Sequence, residues 1–172
     1  MTGHTDSQLQ DPERETVGTV RQIAVPPDAR ALSTLSQIDY EDAFLVQTGP
    51  GQDRTGEQWA RAMLEGAPLI TRTALLSGWS SLGLRLSSPL SDECVLGWEV
   101  RQSTPEFVLL GAGSRLGIAG ELLFVAQERT LLFCTFVKHD NAVARAAWVA
   151  IEPVHVQVVA RVLERGARSA SA

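Results

Sequence analysis

Lysine is almost missing from this chain: of 15 basic residues only Lys138 is a lysine, and 20 acids leave a net charge of -5. A chain with that balance presents no general positive field, so nucleic-acid binding and attraction to an anionic membrane are not expected. The arginine, alanine and glycine bias is read as a trait of a GC-rich genome and carries no functional weight. Cysteine is as scarce, with only Cys94 and Cys134, which excludes a disulfide framework and leaves two small hydrophobes in apolar settings. Three histidines, His4, His139 and His155, stand far apart and form no ligand cluster, so neither a metal nor a cofactor is expected. The most apolar helical stretch is broken by Glu152, Pro153, His155 and Gln157, short of the ~20 apolar residues that span a bilayer. The first sixteen residues, MTGHTDSQLQDPERET, lack a basic start and an apolar centre, so no secretory signal is read there. The expectation is a soluble, cytoplasmic protein.

What is present fits one α+β domain. At 172 residues the chain is long enough for a sizeable core. Residues 1–17 read as a disordered lead, 18–166 as the domain and 167–172 as a disordered tail. Val17 to Val25 reads as an edge strand stopped by Pro26 and Pro27, after which Asp28 would cap a short helix reaching Leu35. Tyr40 to Thr48 is the first firm strand, closed by the turn signal Gly49-Pro50-Gly51. Thr55, with Gln58 three residues on, forms a capping box for a helix ending near Gly66. A second helical pattern follows Pro68 and runs less regularly to Leu86. Val95 to Gln102, Glu106 to Ala112, Ile118 to Gln127 and Thr130 to Lys138 read as a four-strand meander. From Asn141 to about Arg165, Ala144, Trp148, Ile151, His155, Val158 and Val162 recur at steps of three and four and mark one face of a long helix. Pro153 is expected to kink it, because an interior proline removes a hydrogen bond and crowds the preceding turn.

Three features carry the family resemblance. They are Asp39-Tyr40-Glu41-Asp42-Ala43-Phe44 at the first firm strand, Thr135-Phe136-Val137 with Asn141 at the last, and Ile151-Glu152-Pro153-Val154-His155 in the final helix. With the order strand, two helices, meander and long helix, they resemble an uncharacterised bacterial branch of the START and polyketide-cyclase-like (SRPBCC) helix-grip superfamily. The resemblance covers roughly residues 30 to 165. It implies a curved antiparallel sheet wrapped on the C-terminal helix, and a pocket between them for an apolar small molecule. In that branch an asparagine, a proline and a histidine occupy the places of Asn141, Pro153 and His155, while Glu121 stands where a histidine is usual.

Candidate chemistry is sparse. His155 is the best candidate for proton transfer, since an imidazole facing a pocket can act as acid or base near neutral pH. Its structural alternative is a ring bonded to a backbone carbonyl freed by Pro153. Glu121 and Glu99 are possible partners of His155, but strand alternation turns Glu121 away from Leu122 and Phe124, and Glu99 away from Trp98, and the alternative is that either faces solvent. Trp148 and Ile151 are expected to form the helix wall of the pocket and Trp98 part of the sheet wall, with Thr135 and His155 orienting the ligand. Two further readings differ in class. One is a cyclase or isomerase using His155. The other is a dinucleotide module built on Gly111, Gly113 and Gly117, which requires a helix from about Leu116 to Glu128. Gly78-Trp79-Ser80 imitates a nucleophile elbow but lacks its second glycine and reads as helix surface.

Overall fold

The computed structural model describes residues 16–171. The expected lead falls almost wholly on residues 1–15, outside the described residues. In chain order the elements are β1 (Val20–Ile23), α1 (Pro27–Arg30), β2 (Tyr40–Gln47), α2 (Gly56–Leu64), α3 (Leu69–Ser81), β3 (Leu84–Arg85), β4 (Cys94–Val95), β5 (Trp98–Ser103), β6 (Phe107–Ser114), β7 (Ile118–Ala126), β8 (Thr130–His139) and α4 (Ala142–Ala170).

The strands form one curved, open antiparallel sheet in the order β1-β2-β8-β7-β6-β5-β4, with β3 paired to β6. The meander read from the sequence is β5 to β8. Its first strand needed correction, because Val95 to Gln102 is a hairpin rather than one strand. The chain turns at Leu96 and Gly97, and Val95 then pairs with Trp98.

Side-chain alternation sorts the strands onto two faces. On the concave face, Phe44, Val46, Leu110, Leu122, Phe124 and Phe133 form the main core with α2 and α4. On the convex face, Ala43, Leu109, Leu123, Cys134 and Phe136 form a second core. That face is closed by the segment between β1 and β2, which lays Ala29, Leu32, Leu35 and Ile38 across it. Its helix is shorter than expected: α1 ends at Arg30, and its N-cap is Pro26, which makes no side-chain cap bond. Asp28 therefore sits within the first turn and does not cap it.

The helices on the concave side differ in how they are held. Thr55 caps α2 through the expected reciprocal bonds with Gln58. It buries Trp59, Ala60 and Met63. Asn141 starts α4, its Oδ1 accepting from the Ala144 N–H at 2.8 Å. α4 passes through Pro153 without a break and continues to Ala170, with Ala167 buried, so residues 167–170 of the expected tail are its last turn. Among the described residues α4 is long and apolar enough to cross a membrane by length and composition, yet it packs on the sheet through Ala144, Trp148 and Leu163. α3 is the exception, with no buried residue and with Leu69 and Ile70 71% and 81% exposed. The irregular pattern that followed it is not helix, for Leu84 and Arg85 form β3.

Candidate functional site

Period-two alternation places Tyr40 and Asp42 on the concave face with Phe44 and Val46, and α4 crosses above them. Helical spacing brings Trp148 and His155 over the same end of β2. The His155 Nε2 lies 3.1 Å from Oδ2 of Asp42, and the Tyr40 hydroxyl donates to that same oxygen at 2.7 Å. A carboxylate accepts, so Nε2 is the ring nitrogen that donates to Asp42. Aromatic faces fix the imidazole: its centroid is 5.1 Å from Trp148 and 6.0 Å from Tyr40. Burial, and then the bond to Asp42, hold the Tyr40 phenol well above its ordinary pKa, so it remains a donor throughout the physiological range.

His155 therefore has a side-chain partner, and the expected bond to a carbonyl freed by Pro153 is replaced by one to Asp42. Asp42 was missed as a partner because it lies far from His155 in sequence. A signal was present: an acid alternating with Tyr40, Phe44 and Val46 must share their core-facing side.

Beside this group is a small, partly enclosed cavity of about 40 Å³, lined by Trp98, Thr135, Trp148 and His155 together with Trp79 and Leu122. Four of the five expected ligand-contacting residues thus border one space. Ile151 does not line it and packs, half-buried, against the main core. A neighbouring cavity of about 60 Å³ shares Trp79, Leu122 and His155 and extends toward Phe133 and Val162.

Residues in and beside these walls carry unmet polar atoms. Trp98 Nε1, Thr135 Oγ1, Trp148 Nε1 and Oδ1 of Asp42 are buried without a hydrogen-bond partner among the described residues. Buried polar groups are normally satisfied by protein, ordered water or ligand, and each left unmet costs about 1–3 kcal/mol. Trp98, Thr135 and Trp148, each with such an atom, border the cavity, and Asp42 adjoins it through His155.

Glu121 neither partners His155 nor faces solvent: it is 0% exposed on the convex face. Its carboxylate accepts from Ser33 Oγ at 2.5 Å, from the Thr34 N–H and hydroxyl, and from Arg101 at 2.7 Å. The apolar residues on its own side of β7, Leu123 and Val125, were the sign that this face is covered. Glu99, the other possible partner, is exposed.

The dinucleotide reading fails on backbone structure. Gly111 lies within β6, Gly117 lies in a hairpin turn with φ +94°, and Ile118–Ala126 is strand where that reading requires helix. Gly111 has a different reason. Its partner across the sheet is Glu121, and Arg101, at a bulge in β5, crosses directly over it to reach that carboxylate, where a Cβ would collide with the guanidinium. Ser80 is exposed on α3, as expected of helix surface. Cys94 and Cys134 are buried thiols, and burial pushes Cys134 up to about 12, so it is no nucleophile at neutral pH. Among the described residues no three His, Cys, Asp or Glu side chains gather where they could hold a metal ion.

No family model matches the chain, and no solved structure matches it at a significant level.

Proposed function

We propose that this protein binds a small, largely apolar molecule between the sheet and α4, with one polar group of that molecule reaching the cavity beside His155. The reading rests on a single observation: Trp98, Thr135 and Trp148 border one cavity, and each carries a buried polar atom that no protein group meets. A carbonyl or hydroxyl oxygen would accept from the indoles, and the apolar walls would supply most of the affinity. The resemblance to the helix-grip superfamily supports the same location. Cavities of about 40 and 60 Å³ take only the polar end of such a ligand, since whole-ligand pockets run to roughly 300–1,000 Å³. α3 is the wall that would yield, because Trp79 and Leu75 border the inner space while no residue of that helix is buried.

Thr135→Val is close to isosteric, and Trp148→Phe removes the indole N–H while keeping an aromatic ring in the wall. Thr135→Val with Trp148→Phe should lower retention of a co-purified small molecule roughly tenfold, read by mass spectrometry of solvent extracts. Equal retention by the folded double variant would remove the cavity from the site.

A second reading has its own observation, the Asp42–His155 pair. A carboxylate that orients one ring nitrogen leaves the other as a general base, as isomerisation or cyclisation of a bound carbonyl compound needs. His155→Gln should then keep binding and abolish turnover. A carrier has no turnover to lose.

A further inference from the structure

We propose that the groove between α3 and α4 holds the carboxylate of a single-chain apolar acid through Arg161 and Arg165, with the chain directed toward the inner cavities. This inference rests on the binding function above and names the class of ligand. The groove has a volume of about 360 Å³ and is walled by Met63, Ile70, Ala74, Leu75, Val158 and Val162. That is the scale of a small-ligand pocket. Its charged side chains are Arg161 and Arg165 alone, with no acid in the lining.

The two arginines stand one turn apart on α4, so their guanidinium groups share a side of the helix. Both are exposed, and neither makes an ion pair with a described acid, whereas Arg168 on the following turn is held by Glu164 at 2.6 Å. Paired forks over an apolar trough fit a carboxylate head with an alkyl tail, because guanidinium binds carboxylate in a planar, bidentate way. The trough also leads inward. Leu75, Val158 and Val162 line both the groove and the 60 Å³ cavity, and His155 lines that cavity and the innermost one. An acid anchored at the arginines would thus send its far end past Leu75 toward His155.

The test is calorimetric titration of the full chain with decanoate and, separately, with decan-1-ol, for the native protein and for Arg161→Gln/Arg165→Gln. Native protein should bind decanoate more tightly than the alcohol. The double variant should lose roughly five- to thirtyfold in decanoate affinity while its affinity for the alcohol stays the same. Decanoate bound equally well by both proteins overturns the arginine anchor and leaves the cavity reading standing. Failure of the native protein to bind either compound overturns both. The substitutions are on exposed positions, and matching circular dichroism melts will show that the variant is folded.

Discussion

Two carboxylates are buried in the same sheet, one on each face, and their surroundings differ in kind. Glu121 on the convex face is met by Ser33, Thr34 and Arg101, and the chain between β1 and β2 closes over it. Asp42 on the concave face shares a single oxygen between Tyr40 and His155 and leaves Oδ1 unmet, and His155 borders a cavity where Trp98, Thr135 and Trp148 also have unmet polar atoms. A saturated buried ion pair is a clamp, since every group in it is already used. An under-used carboxylate with a histidine beside a cavity has capacity left for another molecule. The difference assigns the structural role to the convex face and directs the functional search to the concave one.

The contrast predicts a graded set of outcomes. Glu121→Leu should be the most damaging, costing about 3–5 kcal/mol in urea denaturation, because it leaves Arg101, Ser33 and Thr34 without their shared acceptor. Asp42→Asn should cost far less, about 1 kcal/mol, since an amide oxygen can still accept from Tyr40 or His155. Equal losses for the two would erase the distinction between the faces. Thr135→Val should be neutral or stabilising by up to about 1 kcal/mol, because it removes a buried hydroxyl that has no partner. A clear loss of stability would mean that this hydroxyl is already satisfied in the free protein.

The smallest effect is one of pH. Burial lowers the His139 pKa from its ordinary 6.5, and the backbone N–H of His139, donating to Asp39, lowers that carboxyl from 3.8. In each case the unfolded chain takes up the proton first as pH falls, so it binds more protons than the native state. Stability from these groups is complete above 6.5, declines as pH falls through the lowered His139 value, and declines again below 3.8 as pH approaches the lowered Asp39 value. Urea midpoints at neutral pH and at about pH 5 should show the first step, and His139→Gln should remove it.

Much of this architecture was legible because local signals agreed. The Thr55–Gln58 box, the apolar and β-branched runs of β2 and β6 to β8 between turn residues, and the apolar stripe of α4 each point to the element that forms. The hairpin hidden in Val95 to Gln102 escaped because its turn is only Leu96 and Gly97 between apolar flanks. α1 was read too long because Leu32 and Leu35 are apolar for a different reason: they cover the convex face rather than continue a helix. That second layer had a trace in the near-continuous apolar run Leu131 to Val137, since a strand buried on both faces loses its alternation. The site was half legible. Trp98, Thr135, Trp148 and His155 could be named from face and resemblance, whereas Asp42 as the partner of His155 depends on how α4 crosses β2, which no local pattern specifies.

The central claim is that the concave face holds a small molecule, and native mass spectrometry tests it most directly. Protein purified gently from the cells that make it, without detergent or organic solvent, should have an intact mass above its denatured mass by that of one apolar compound. The excess should be largely lost in Thr135→Val/Trp148→Phe. Identical native and denatured masses, with no uptake when the protein is offered decanoate or decan-1-ol, would contradict the account.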